Sequence, residues 1–132
     1  MSGFDARVDR MSASCFDYVE SLKRLGDDQA LFCAMARCFV EDAEGLLREI
    51  AEGIDRSDAH RVERAAHSLK GLAATFSAFA VVTRAQSIEE SGRQANLSRS
   101  RAVLPELMEE ADRLKRELLP YATRDADPTS DE

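Results

Sequence analysis

Residues 57–76, SDAHRVERAAHSLKGLAATF, carry the clearest helical pattern in the chain. Their apolar residues recur at steps of three and four, which is the period of one face of an α-helix. These residues are Val62, Ala66, Leu69, Ala73 and Phe76. We therefore predict an amphipathic helix over this stretch. Ser57 is the expected N-cap, and Asp58 lies in the first turn, where an acidic side chain suits the helix dipole.

Two helical stretches precede this one. The first runs from about Ser14 to Leu25 and is followed by Gly26. The second begins at Asp27 or Asp28 and runs to about Glu52. Glycine is common just after the last helical residue, so we expect the glycine at position 53 to end the second helix.

Two helical stretches follow it. The fourth helix covers about residues 77–91, with its first serine as the N-cap and Gly92 as the stop. The fifth is expected to be capped by Ser98 or Ser100, and Pro105 is compatible with it in the first turn. No segment shows the alternation that is typical of a β-strand.

The pattern predicts an all-α fold, an antiparallel up-down-up-down four-helix bundle with a short additional N-terminal helix. Residues 13–122 would form the bundle domain. Residues 1–12 would be a loose N-terminal segment, and residues 123–132, rich in aspartate, a disordered acidic tail.

Composition excludes several classes of protein. A net charge of −7 over 132 residues argues against a nucleic-acid partner, which requires clustered Lys and Arg. No apolar run is long enough to span a membrane, and the first ten residues lack the apolar core of a signal peptide. The three cysteines lack a regular spacing, which favours a reducing compartment. We expect a cytoplasmic monomer that binds neither membranes nor nucleic acid.

The third helix carries a second pattern on the face opposite its apolar stripe. Here Arg64, Lys70 and Gly71 lie within one turn of His67. Glycine inside a helix costs about 1 kcal/mol relative to alanine. Side chains lean toward the helix N-terminus, so a bulky residue at position 71 would cover His67, and glycine leaves it exposed. A neutral imidazole is a nucleophile through one nitrogen, and Lys70 offers a cation to a phosphoryl group bound there.

No metal or cofactor site is indicated. Cys33 and Cys38 lie five residues apart without a histidine nearby in sequence, whereas structural zinc sites show a tighter ligand pattern. His60 would lie about 10 Å from His67 along the helix axis, so the two cannot bind one ion. By itself, a histidine on a helix face is usually only an exposed or structural residue. The spacing of Lys70 and Gly71 is what favours a function.

The segment Ala66-His67-Ser68-Leu69-Lys70-Gly71 resembles the signature of the histidine phosphotransfer (HPt) domain, in which Leu, Lys and Gly follow the histidine by two, three and four positions. Residues 65–78 carry the specific part, and the helix order over residues 16–121 agrees with it. The resemblance implies a phosphocarrier without kinase or phosphatase activity of its own. His67 would accept a phosphoryl group from a receiver aspartate and pass it to another. The Mg²⁺ for this chemistry would belong to the receiver.

Two positions depart from this family pattern. Ser77 stands where glycine is frequent, and Thr75 where many members have asparagine. Thr75-Phe76 looks instead like the phosphorylated N-terminal domain of chemotaxis-type histidine kinases, which is the alternative. A degenerate bundle that binds receivers without carrying phosphate is a third hypothesis, and the intact His67 and Lys70 argue against it.

The resemblance implies response-regulator receiver domains and a sensor or hybrid histidine kinase as partners. A receiver would dock around His67, on the third helix and on an exposed flank of the second helix at about residues 32–40. Phe32 lies off the apolar stripe of the second helix that begins at Leu31, so it is an apolar contact candidate. Its other interpretation is packing against the first helix. The candidate partner-binding residues are Phe32, Arg64, Ala74 and Thr75.

Overall fold

The computed structural model describes residues 15–124, and over this range the chain forms five helices and no strand. The helices are α1 (Tyr18–Arg24), α2 (Gln29–Asp55), α3 (Ala59–Ala74), α4 (Phe79–Arg93) and α5 (Leu97–Ala122). The predicted all-α class is confirmed. The expected loose segment at residues 1–12 and the tail from residue 125 onward lie outside the described range.

Helices α2 to α5 form the bundle. Each packs against the next along the chain, and α5 also packs against α2. The loops between them cover only residues 56–58, 75–78 and 94–96. Because packed neighbours joined by such short loops run in opposite directions, the arrangement is consistent with the up-down-up-down order. The interior is filled by fully buried side chains, among them Phe39, Leu69, Phe76, Ile88, Leu107 and Leu114.

The loops before α3 and α4 each turn through a serine in the left-handed region. The φ angles are 57° at Ser57 and 53° at Ser77. After Ser57, the backbone N–H of Asp58 donates to the carbonyl of Gly53 at 2.8 Å, which closes the end of the preceding helix. The two serines are therefore turn residues, and their prediction as N-caps was wrong. Asp58 caps α3 with its side chain, and Ala78 precedes α4 without a side-chain cap.

Gly53 and Gly92 do not end their helices as predicted, because α2 and α4 continue past them. A Cβ at Gly53 would lie 2.8 Å from Cγ2 of Val62, and one at Gly92 would lie 2.9 Å from the backbone nitrogen of Glu63. Both glycines face α3 from opposite sides. The missing side chains let the neighbouring helices approach α3 closely, and these contacts fix how the helices are aligned.

Gly92→Ala should destabilise the fold. The added methyl would meet backbone atoms of Ala59 and Glu63, which cannot move without shifting α3. We expect a net loss of about 1–3 kcal/mol in the free energy of unfolding, in spite of the better helix propensity of alanine. Gly71→Ala is the matched control, because an added Cβ there meets nothing within 4 Å. It should gain up to about 1 kcal/mol in urea titrations. Equal effects of the two substitutions would contradict the close approach at Gly92.

Helix α5 begins at Leu97, because the side chain of Asn96 caps its first turn. The expected caps Ser98 and Ser100 lie inside the helix. Since the helix starts earlier than predicted, Pro105 lies well inside it and not in the first turn.

Helix α1 is shorter than the predicted stretch from Ser14 to Leu25. It begins after Asp17, whose side chain accepts a hydrogen bond from the backbone N–H of Glu20. Near its end, Nη1 of Arg24 donates to the carbonyls of Ala74 at 3.2 Å and Thr75 at 2.9 Å. These bonds satisfy carbonyls at the C-terminal end of α3 and tie α1 to it.

The expectation that Phe32 lies on an exposed flank is wrong. Its side chain is 1% exposed and belongs to an aromatic cluster at the end of the bundle. The ring centroid lies 5.0 Å from those of Tyr18 and Tyr121, and 5.5 Å from that of Phe76. The stripe of α2 begins at Phe32, whereas Leu31 is 40% exposed. The other interpretation, packing of Phe32 against the first helix, is the one that the structure supports.

Candidate functional site

His67 lies in the middle of α3 on its solvent face, and its side chain is 68% exposed. Gly71 follows one turn later, and a Cβ built there would meet no atom within 4 Å. Any longer side chain at position 71 would lean over the imidazole, because helical side chains point toward the N-terminus. The ring is therefore open to an approaching partner on this side.

A carboxylate on the neighbouring helix α4 contacts one nitrogen of the His67 imidazole. Oε2 of Glu89 on α4 lies 2.9 Å from Nδ1 of His67. The other oxygen, Oε1, lies 2.7 Å from Nζ of Lys70. A guanidinium nitrogen of Arg93 also lies 3.4 Å from Oε2. Glu89 thus joins His67 and Lys70, one turn apart on α3, into one cluster, although the side chain of Glu89 is only 7% exposed.

The charge state of Glu89 determines which imidazole nitrogen is available. Burial alone would raise the pKa of this carboxyl, but the contacts with Lys70 and His67 outweigh burial, and the pKa is lowered. An ionised carboxylate only accepts hydrogen bonds, so Nδ1 of His67 must be the donor. In a neutral imidazole the lone pair is then on Nε2. The exposed nitrogen is the one that can act as a nucleophile.

The close packing of α4 on α3 places Glu89 opposite His67. Gly92 packs against the backbone of Glu63. His67 lies one turn after Glu63, and Glu89 lies about one turn before Gly92. Because the two helices run in opposite directions, these two turns face each other.

The other candidate residues are distributed unevenly around this cluster. Arg64 is exposed one turn before His67 and lines a shallow pocket with it and with Glu89. Ala74 is exposed, and Thr75 is half-buried at the C-terminal end of α3. Phe32 lies in the aromatic cluster and not on this surface.

The part of α2 beside His67 is not the predicted flank at residues 32–40. Gly53 of α2 packs against Val62 of α3, and the two helices run in opposite directions. His67, further along α3, therefore lies next to an earlier part of α2, residues 42–49. A groove runs there between α2 and α3, and its floor includes Gly45 and Leu46.

Sequence reasoning did not identify Glu89. The one available signal was a carboxylate beside apolar residues of the fourth helix, next to Ile88 and four residues after Ala85. A charged side chain at the edge of a buried face needs a partner. The identity of that partner depends on the alignment of α3 and α4, which the spacing within one helix does not provide.

None of the helices over residues 15–124 is long and apolar enough to cross a membrane.

Comparison with known proteins agrees with the all-helical fold. The fold is similar to the crystal structure of histidine-containing phosphotransfer protein B (HptB) from Pseudomonas aeruginosa PAO1, with a TM-score of 0.76 and 23% sequence identity. The similarity covers 86% of this chain and 99% of that chain, and it shows a common fold. No curated protein sequence matches the chain.

The family model of the Hpt domain matches residues 34–117, which is more than half of the chain and includes α3 and α4. This match does not favour the alternative, a phosphorylated domain of a chemotaxis-type kinase. The chain belongs to the Hpt domain family and is a histidine phosphotransfer module of phosphorelays.

Proposed function

We propose that His67 is the residue that carries the phosphoryl group, accepting it from a receiver aspartate and passing it to another receiver. One observation carries this proposal. Nδ1 of the exposed imidazole is held 2.9 Å from a buried carboxylate, which leaves Nε2 free toward solvent. The other histidine, His60, is exposed and has no hydrogen bond to any residue between 15 and 124.

The transfer step requires only positioning of the imidazole by this chain. The lone pair of Nε2 attacks phosphorus of the aspartyl phosphate, the N–P bond forms and the aspartyl O–P bond breaks. The electron pair of the broken bond leaves on the aspartate carboxylate. The proton stays on Nδ1, so the phosphorylated ring is cationic, and the adjacent Glu89 carboxylate compensates for that charge. Return transfer reverses these bonds.

Lys70 fits this proposal in two ways. Its ammonium lies 2.7 Å from Oε1 of Glu89 and helps to keep that carboxylate ionised. The expectation that Lys70 pairs with the phosphoryl group stays a prediction. Lys70 would have to leave Glu89, or to share its ammonium protons between the carboxylate and the phosphoryl oxygens.

The remaining parts of the reaction would come from the partner. We propose that the receiver supplies Mg²⁺ and the acidic pocket, and that this chain binds no cofactor and has neither kinase nor phosphatase activity. The receiver would dock over His67 and Gly71, and over the groove at Gly45 and Leu46. Arg64, Ala74 and Thr75 remain candidate contacts around it.

The direct test is transfer from a phosphorylated receiver domain to the full chain. We expect an acid-labile, base-stable phosphate that maps to His67 and is attached at Nε2. Phosphorus NMR of the labelled protein distinguishes the two ring nitrogens. Phosphate on Nδ1, or on another residue, would contradict the proposal.

Glu89→Leu should slow phosphoryl acceptance on the order of ten-fold, as removal of a positioning partner typically does. Without the carboxylate, either nitrogen of His67 can carry the proton, so we also expect a mixture of Nδ1 and Nε2 phosphate. Glu89→Gln keeps an acceptor oxygen and should retain the Nε2 product. Glu90→Gln is the control, because Glu90 is exposed on the same helix. An unchanged rate and a single product in Glu89→Leu would show that Glu89 does not orient the ring.

The pH dependence of the unfolding free energy is a second measurement on the wild type and Glu89→Gln. The pKa of Glu89 in the folded chain lies below its ordinary value of 4.5. The ionised carboxylate therefore stabilises the fold above that pH, and this contribution is lost as the pH falls through the lowered value. We expect Glu89→Gln to lose less stability than the wild type on acidification below pH 4.5.

A further inference from the structure

Arg64 is an unengaged cation beside His67. It is exposed on α3, one turn before the histidine, and it makes no hydrogen bond or ion pair with any residue from 15 to 124. It lines a shallow pocket together with His67 and Glu89. Arg64 acts electrostatically on Glu49 of α2, but that carboxylate is paired with Arg61 at 2.8 Å.

The two cations beside Glu89, Lys70 and Arg93, are already bound to carboxylates. Nζ of Lys70 lies 2.7 Å from Glu89. Arg93 lies 3.4 Å from Glu89 and 3.3 Å from Glu63. A phosphoryl group on His67 would have to compete with these carboxylates for either cation. It would meet no such competition at Arg64.

The direction of the side chains favours the same residue. A helical side chain leans over the turn that precedes it, so the ring of His67 leans toward the turn that holds Arg64. Nδ1 points toward α4, where it contacts Glu89. The opposite nitrogen, Nε2, points away from Glu89 and therefore away from Lys70, whose ammonium is held on that carboxylate.

We propose that Arg64 pairs with the phosphoryl group on Nε2 of His67 and stabilises the phosphorylated form of this chain. The inference deepens the proposed function and rests on it. A guanidinium can donate two parallel hydrogen bonds to phosphoryl oxygens, a geometry that the point charge of a lysine lacks. Residues three apart on a helix are neighbours, so the long arginine side chain can reach the group.

The test measures the equilibrium of phosphoryl transfer between this chain and a receiver domain that it phosphorylates. At protein concentrations at which little complex forms, this equilibrium depends only on the free-energy difference between the phosphorylated and unphosphorylated forms of each of the two proteins. A residue that acts in docking alone changes the forward and reverse rates together and leaves the equilibrium unchanged. A residue that pairs with the phosphoryl group on His67 changes the equilibrium itself.

We expect Arg64→Gln to shift the equilibrium about five-fold toward the phosphorylated receiver. Arg64→Lys, which keeps the charge but not the planar fork, should give a smaller shift. Lys70→Gln should shift the equilibrium less than Arg64→Gln. The matched control is Arg48→Gln, because Arg48 is an exposed arginine of α2 that lines the groove on the other side of His67.

Three outcomes would overturn the inference. An unchanged equilibrium with slower transfer in both directions would make Arg64 a docking residue. An equal shift in Arg48→Gln would show that the surrounding charge acts, and not a specific pair. A larger equilibrium shift in Lys70→Gln than in Arg64→Gln would show that Lys70, and not Arg64, pairs with the phosphoryl group. In all three, phosphate on Nε2 of His67 would still support the proposed function, and its absence from that nitrogen in the wild type would refute that function.

Discussion

His67→Gln should abolish phosphoryl acceptance while the fold remains intact. Glutamine has no nucleophilic nitrogen, because its amide lone pair is delocalised. The side chain of His67 is 68% exposed, so its replacement removes little packing. We expect a change of at most about 1 kcal/mol in unfolding free energy, which corresponds to the hydrogen bond to Glu89. Phosphate labelling from a phosphorylated receiver should fall below detection.

His60→Gln is the matched control for this variant. His60 is also exposed on α3, two turns earlier and about 10 Å away along the axis. The His60→Gln variant should accept the phosphoryl label to the same extent as the wild type. His67→Gln should also bind the receiver with near wild-type affinity, since the docking surface is kept. Persistent label in His67→Gln, on His60 or on any other residue, would contradict the assignment of the acceptor.

The cluster of His67, the proposed acceptor, with its immediate neighbours could be predicted because these residues lie on one helix. The spacing of His67, Lys70 and Gly71 alone places them on one face, whatever the other helices do. Glu89 could not be predicted in the same way. Its contact with His67 depends on how α4 is aligned along α3, and that alignment is set by Gly92 packing against Glu63. The sequence favoured a helix stop at Gly92, which is the commoner role of such a glycine.

The predicted starts of two helices were wrong for a related reason. Ser57 and Ser77 are good N-cap residues by type, but each adopts a positive φ in the turn before its helix. Glycine is the usual residue in that conformation, because it lacks a Cβ. The residue type alone does not distinguish a serine in a left-handed turn from a serine that caps a helix. The choice between them depends on where the preceding helix ends.

The error at Phe32 came from the phase of the apolar stripe in α2. Leu31 and Phe32 are adjacent, and either can start a pattern of steps of three and four. The stripe that is buried continues from Phe32 through Ala36 and Phe39. The aromatic cluster decides between the two phases, because Tyr18 and Tyr121 approach from distant parts of the sequence.

Phe32→Ala should therefore be a stability variant and not a docking variant. Truncation of a fully buried phenylalanine typically costs about 3–5 kcal/mol, from lost apolar contacts and the cavity that remains. A loss of this size is a large fraction of the stability of an ordinary domain. Leu31→Ala is the matched control at the neighbouring position, which is 40% exposed. It should change the unfolding free energy far less.

The functional readout separates the two roles of Phe32. We expect receiver affinity and transfer rate, normalised to the folded fraction from denaturant titration, to be unchanged in Phe32→Ala. If that variant does not fold, Phe32→Leu keeps most of the volume and should cost less than about 1.5 kcal/mol. Weaker receiver binding by well-folded Phe32→Leu would place this side chain at the interface. Because its ring is enclosed by Tyr18, Phe76 and Tyr121, at the end of the bundle where α3 terminates, we expect only the stability to change.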